Sequence, residues 1–122
     1  MQKQHLCIEG ASKDAPFLEV IIADSFLARF TGLMLRQKLP PATGLLLAPC
    51  NSVHMCFMRF AIDVVYLDKD FTVINVAKGL KPWIGLSMCR KAWAVIEMSA
   101  GEADICGLQV GKKLIGGEGF MK

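Results

Sequence analysis

The sequence predicts one small domain of the mainly β class, a compact β-barrel or sandwich of about six to seven strands with two short helices. Short apolar runs recur along the chain, some of them rich in β-branched residues, and turn-forming residues separate most of these runs. The chain has 122 residues, of which 53% are hydrophobic, so it can bury a single core.

The predicted domain spans residues 17–115. Residues 1–16 show little periodicity and end at Pro16, which leaves a mobile arm and an edge strand as open alternatives. Residues 116–122 begin with a glycine-rich stretch, which predicts a flexible tail.

The predicted strands follow the apolar runs. In chain order they are 17–23, 44–48, 53–58, 62–67, 71–77, 93–98 and 112–115. The polar triplet Asp68-Lys69-Asp70 predicts a hairpin turn between two of them. Residues 79–91 hold Pro82, two glycines and mixed polarity, which is typical of a long loop.

Two short helices are predicted between the strands. Asp24 or Ser25 can cap the first helix, which continues through Phe30. The second is predicted from the match of Ser99-Ala100-Gly101-Glu102 to the S-x-x-E capping box, and it ends near Cys106.

The charge and hydropathy patterns exclude several partner classes. The formal charge of +3 is spread along the chain, so a nucleic-acid partner is not expected. No apolar stretch approaches the ~20 residues of a membrane-spanning helix. The first residues also lack the apolar region of a secretory signal, so a cytoplasmic location is expected.

Cysteines and enzyme motifs give little support for a defined activity. The five cysteines include no C-x-x-C pair, so zinc ribbons and thioredoxin-type motifs are unsupported. G-x-S-x-G, P-loop, G-x-G-x-x-G and H-E-x-x-H motifs are also missing from the sequence. No cofactor is therefore required by the sequence.

The stretch 50–58 contains the residues best suited to chemistry. If it is one continuous strand, its apolar face packs on the core through Val53, Met55 and Phe57. The opposite face then carries Cys50, Ser52, His54, Cys56 and Met58. Thiol, thioether and imidazole groups suit Cu(I) or zinc.

One hypothesis is therefore a metal or thiol site built from Cys50, His54 and Met58, with Cys89 of the predicted loop as a further ligand. The alternative is that these side chains are packing groups. Residues four apart on a flat strand, such as Cys50 and His54, are separated by about 13 Å, so Cys50 and Met58, which are twice as far apart in the chain, cannot share one ion unless the strand bends.

Asp63 and Trp83 are further candidates for a binding site. Asp63 stands between apolar neighbours, where a carboxylate is costly to bury unless it is paired, and Arg59 or Arg36 can pair with it. It is either a ligand-orienting group in a barrel mouth or, the interpretation we favour, a structural ion pair. Trp83 follows Pro82, and we expect it to plug a barrel end rather than floor a pocket.

Four stretches of the chain together resemble the domain of unknown function 192 family. They are residues 32–36 with Leu39-Pro40, the run CNSVHMCFMRFAIDVVYLD at 50–68, LKPW at 80–83, and SAGEADICGLQVG at 99–111. The resemblance covers roughly residues 18 to 115 and implies a compact all-β fold with short helices. It implies no activity.

The sequence departs from the family's pattern at three positions. Ala61 stands where a proline is common, and Lys112 where an aspartate is frequent. Phe71 replaces the glycine that usually follows Asp68-Lys69-Asp70, which puts a tight Asp-Gly hairpin in doubt. Members of the family also often carry an export signal, which is not seen in this sequence.

These observations favour a binding or accessory module that recognises a small ligand, a peptide or a partner protein. The predicted binding face carries His54, Met58 and Asp63, with Arg59, Arg36 and Trp83 as further contributors. The alternative is a thiol- or metal-dependent enzyme or redox protein that uses Cys50 or Cys89 with His54.

Overall fold

The fold is mainly β, as predicted. The computed structural model describes residues 2–10, 18–23, 39–55 and 60–116. Its strands are β1 Gln2–Ile8, β2 Leu18–Ala23, β3 Thr43–Leu47, β4 Ser52–His54, β5 Ile62–Leu67, β6 Val73–Leu80, β7 Leu86–Met88, β8 Ala94–Ser99 and β9 Leu114–Gly116. The one helix in these ranges is α1, Glu102–Ile105.

Seven strands form the main sheet, in the order β6-β5-β8-β3-β2-β1-β9. Neighbouring strands are antiparallel except β2 and β3, which run parallel. The sheet curls so that the segments next to its two end strands approach each other at one corner, where Thr72 and Lys113 form a β-bridge and the N–H of Val73 donates to the carbonyl of Lys112 at 2.8 Å. The result is a half-barrel.

The N-terminal segment is part of this sheet. β1 pairs with β2 on one side and with β9 on the other. Leu6, in the middle of β1, is completely buried.

The concave face of the main sheet holds the larger core. Val73 on β6 and Leu114 on β9 belong to one apolar cluster although they lie at opposite ends of the sheet. Val65, Ile96 and Ala103 fill the same cluster from β5, β8 and α1. Burial of these side chains stabilises the curl, because it removes apolar surface of all these elements from water.

A second, two-stranded sheet covers the convex face. It pairs β4 with β7 in antiparallel register. Val53 and Met55 pack beneath it against Ile62, Val64 and Tyr66 of β5. The prediction that Val53 and Met55 face the core is confirmed, whereas Phe57 lies outside the described residues.

The loop predicted over 79–91 is wrong in part, because it contains β7. The run Leu86-Ser87-Met88 is too short for alternation to identify, and its strand conformation depends on pairing with β4, which is more than 30 residues away in the chain.

The predicted capping box at Ser99 and Glu102 is also wrong. Helix α1 begins after Gly101, and no side chain caps it in the expected way. The hydroxyl of Ser99 instead accepts from the N–H of Leu39 at 3.0 Å and donates to the Leu39 carbonyl at 2.9 Å. Glu102 Oε1 accepts from the N–H of Ala42 at 2.6 Å. Both side chains therefore hold residues 39–42 in place.

The helix predicted after Asp24 falls outside the described residues.

Phe71 takes the backbone conformation that a glycine would favour. Its φ is 61°, in the left-handed region, and β6 begins two residues later at Val73. Its ring is buried and lies 6.2 Å from the ring of Trp93. Burial of the ring offsets the free-energy cost of the left-handed backbone. The chain therefore turns at this point although a phenylalanine stands where a glycine is usual.

Candidate functional site

The sheet of β4 and β7 gives the protein an unusual outer surface. Val53 pairs with Ser87, and both positions face the main sheet. The alternate positions on β7 face outward, and Leu86 and Met88 are 75% and 62% exposed. Large apolar side chains on the outside of a short strand are the first sign of an interaction surface here.

The turn that leads into β7 adds two more apolar groups. Trp83 is 57% exposed and Ile84 is 77% exposed. The exposure of Trp83 contradicts the expectation that it plugs a barrel end. We call Trp83, Ile84, Leu86 and Met88 together the outer apolar face.

Backbone hydrogen bonds fix this turn to the end of β4. The N–H of Trp83 donates to the carbonyl of Met55 at 2.8 Å, and the N–H of Met55 donates to the carbonyl of Gly85 at 2.9 Å. Gly85 also donates to the carbonyl of Lys81 at 2.9 Å. A Cβ on Gly85 would approach Met55 Cγ to 2.7 Å and the Lys81 carbonyl oxygen to 2.8 Å, so a larger residue does not fit.

The backbone of Trp83 is strained. Its φ is 70°, in the left-handed region where a bulky side chain is unfavourable. Strain of this kind is concentrated at functional sites in folded proteins.

Cys50 and Cys89 lie next to this surface, at the ends of β4 and β7. The N–H of Cys89 donates to the carbonyl of Asn51 at 2.8 Å, which places Cys89 opposite the residue that follows Cys50. Both thiols are free and half-buried, and both pack against the cluster beneath the second sheet. Cys50 Sγ donates to the carbonyl of Ser52 at 3.3 Å.

Tyr66 of β5 connects the main sheet to the second sheet near these thiols. Its hydroxyl is 2.7 Å from the hydroxyl of Ser87. Burial raises the pKa of Tyr66, the hydrogen bond to Ser87 lowers it, and the nearby Cys89 and Cys50 raise it further. The structure therefore brings together Cys50 and Cys89, two residues of the predicted thiol site, around a phenol that the sequence analysis did not select.

The side chains of the other two predicted metal ligands, His54 and Met58, lie outside the described residues. His54 pairs with Leu86 in the second sheet, but its side chain, like Met58, Arg59 and Arg36, lies outside the described part. In that described part, no three His, Cys, Asp or Glu side chains are grouped as metal ligands. The site of Cys50, His54, Met58 and Cys89 stays a prediction.

Asp63 is held by backbone hydrogen bonds inside the fold. Its buried carboxylate accepts N–H groups from Gly79 at 2.9 Å, Gly101 at 2.9 Å and Ala103 at 3.1 Å. These bonds tie β5 to the end of β6 and to the start of α1. Asp63 alternates with Ile62 and Val64, so it lies on the concave side of the main sheet, opposite the second sheet. The structure does not bring it together with Cys50 and Cys89.

Glu97 is a buried ionisable residue that the sequence analysis missed. It lies on β8, is 8% exposed, and is opposite Val64 of β5 and Leu45 of β3 in register. Burial raises the pKa of Glu97 to about 7. The signal was available, because Glu97 interrupts the apolar run of 92–98 in the way that Asp63 interrupts 60–67.

In the described part of the chain, no helix is long and apolar enough to cross a membrane. Among the exposed large apolar side chains of the described residues, the four of the outer apolar face lie closest together in the chain.

Comparison with solved structures shows the same fold in two bacterial proteins. One is a proposed transcription regulator from Sinorhizobium meliloti 1021, with 23% sequence identity, a TM-score of 0.82 and coverage of 94% of each chain. The other is a protein of unknown function from Novosphingobium aromaticivorans, with 20% identity, a TM-score of 0.75 and coverage of 91% of this chain and 83% of that one.

Comparison of sequences identifies the family. A UPF0127 protein of Pyrococcus furiosus is 35% identical over 102 residues, which are 80% of this chain and 85% of that protein. The model of the domain of unknown function 192 family, a family described as uncharacterised, matches residues 8–116. The chain therefore belongs to the domain of unknown function 192 family.

Proposed function

We propose that the protein is a binding module and that the outer apolar face is its binding surface. The observation that carries the proposal is the exposure of four large apolar side chains, from 57% to 77%, within six consecutive residues. Contiguous apolar surface on a small domain marks a site of interaction. The partner removes these side chains from water, which favours association.

The framework of the surface supports this proposal. Hydrogen bonds between Met55, Trp83 and Gly85 hold the turn in one conformation before a partner arrives. A preorganised surface loses little conformational freedom on binding. The strained backbone of Trp83 also fits a residue that is retained for contact.

Other predicted binding residues take different places in this proposal. We keep His54, Met58 and Arg59 as proposed contributors to binding, as the sequence analysis predicts. We assign Asp63 to the framework. The free state of the four described cysteines fits a reducing compartment such as the cytoplasm.

Titration with the apolar dye 8-anilinonaphthalene-1-sulfonate tests the proposal. We expect the folded wild type to bind the dye and the variant Ile84→Ser/Leu86→Ser to lose most of the fluorescence gain. The matched control is Ile105→Ser/Val110→Ser, which changes two side chains that are as exposed but lie elsewhere. Equal dye binding by all three proteins contradicts the proposal.

We propose thiol chemistry at Cys50 and Cys89 as a second candidate function, which is favoured by their position near Tyr66 and next to the ends of the paired strands β4 and β7. We expect a functional thiol to react quickly with iodoacetamide in the folded protein at neutral pH. Cys106 is the internal control, because burial raises its pKa. Labelling of Cys50 and Cys89 only after unfolding rules this candidate out.

A further inference from the structure

We propose that the outer apolar face docks onto an anionic phospholipid bilayer. This inference rests on the proposed function, because it names the partner of the same surface. It combines the exposed apolar side chains with a second and independent feature, the charge of the segment that carries them.

The segment 78–93 is strongly basic. It contains Lys78, Lys81, Arg90 and Lys91 and has no acidic residue. The rest of the chain carries ten basic and eleven acidic residues, so the net positive charge is located in this segment, contrary to the expectation that it is spread along the chain. A concentration of positive charge favours an anionic partner.

Three of these cations are available to such a partner. Lys78 forms an ion pair with Asp104 at 2.7 Å, on the outside of α1. Lys81, Arg90 and Lys91 are exposed and make no ion pair with any residue in the described ranges. Lys81 precedes the outer apolar face and Arg90-Lys91 follow it, so cations flank the face at both ends.

This order of groups matches the layers of a bilayer surface. Trp83 suits the headgroup region, where an amphipathic ring is stable. Ile84, Leu86 and Met88 can enter the boundary between headgroups and acyl chains, and the flanking cations remain near the lipid phosphates. Leu86 and Met88 stand on the outside of the second sheet, turned away from the main sheet, and Trp83 and Ile84 are exposed in the turn that precedes them.

Co-sedimentation with vesicles tests the inference on the wild-type protein. We expect binding to vesicles of equal parts phosphatidylglycerol and phosphatidylcholine, and binding at least about tenfold weaker to phosphatidylcholine alone. Raising the salt concentration should release the protein from the anionic vesicles.

Two pairs of variants assign the binding to this surface. Ile84→Ser/Leu86→Ser should lower vesicle affinity by about tenfold or more, whereas Ile105→Ser/Val110→Ser should not change it. Arg90→Glu/Lys91→Glu should remove the preference for anionic lipid, whereas Lys112→Glu/Lys113→Glu, at an exposed basic pair elsewhere, should retain most of it.

The dye titration separates the two proposals. If the wild type binds the dye through the outer apolar face but does not sediment with anionic vesicles, the lipid inference is overturned and an acidic protein becomes the partner to seek. Equal binding to both kinds of vesicle also overturns it. If neither the dye nor the vesicles bind, both proposals fall.

Discussion

The hydroxyl of Tyr66 on β5 lies 2.7 Å from the hydroxyl of Ser87 on β7, and this hydrogen bond joins the main sheet to the second sheet. Tyr66 is completely buried, so its polar atom needs a partner from the element packed above it. The bond fixes the distance at which β7 lies over β5. It also fixes the outer apolar face relative to the core.

The first prediction concerns this bond. Ser87→Ala should lower the free energy of unfolding by about 1 kcal/mol, because the buried phenol then lacks its partner. Tyr66→Phe should also lower the free energy of unfolding, and the double variant should cost less than the sum of the two single changes, since each change breaks the same bond. Urea unfolding of the two single variants and the double variant measures the coupling. A coupling energy of zero would show that the bond does not contribute to stability.

The second prediction concerns Asp63. Asp63→Ala leaves three backbone N–H groups without their acceptor and should lower the free energy of unfolding by about 3 kcal/mol. Asp63→Asn should lose less, because one oxygen remains to accept. Asp70→Asn, at an exposed position in a turn, is the control. An unchanged thermal transition for Asp63→Ala would contradict the framework role and point to a role in binding.

The third prediction concerns the pH dependence caused by Glu97. Burial raises the pKa of Glu97 to about 7 from its ordinary value of 4.5, so the folded protein holds this proton more tightly than the unfolded chain. The stability that Glu97 contributes is therefore complete below about pH 4.5 and is lost as the pH rises to about 7. Well above pH 7 the loss in the free energy of unfolding no longer changes with pH.

Glu97→Gln should remove this dependence. Relative to wild type, the variant should be similar at pH 4.5 and more stable at pH 8, by up to about 3 kcal/mol. Unfolding midpoints of both proteins across this range make the comparison. A difference that does not change with pH would show that the carboxyl ionises normally in the folded protein.

The fourth prediction separates stability from binding at Trp83. Because its φ of 70° suits glycine, Trp83→Gly should leave the free energy of unfolding unchanged or raise it by about 1 kcal/mol. The same change should weaken binding of the apolar dye, since it removes one of the four exposed side chains. Thermal unfolding and dye titration on one sample give both values. A large loss of stability would instead assign Trp83 to the framework.

The sequence predicted the strands whose apolar residues are contiguous. β5 was predicted with its observed bounds, since five of its six residues are apolar and the polar triplet Asp68-Lys69-Asp70 follows it. β7 was missed, because three residues with a single polar position carry no periodic signal and depend on β4 for pairing. The capping box failed because Ser99 and Glu102 have tertiary partners at residues 39–42, and these outweigh local bonds to the helix.

The candidate site was predicted less completely than the fold. Alternation correctly placed Val53 and Met55 in the core. It could not show that the turn at 81–85 folds against Met55, since that depends on the close approach of Gly85. Asp63 was predicted to share a binding face with His54 and Met58, but it lies on the concave side of the main sheet, whereas the second sheet that contains His54 covers the convex side.

The most direct measurement of the proposed binding surface is the emission of Trp83 itself. Trp93→Phe leaves Trp83 as the only tryptophan, because the sequence contains two. Dodecylmaltoside micelles offer a neutral apolar surface. On their addition we predict that the emission of Trp83 shifts to shorter wavelength and that acrylamide quenches it less. Adding Ile84→Ser/Leu86→Ser should abolish the shift. An emission that stays solvent-like at saturating micelle concentration would contradict a binding role for the outer apolar face.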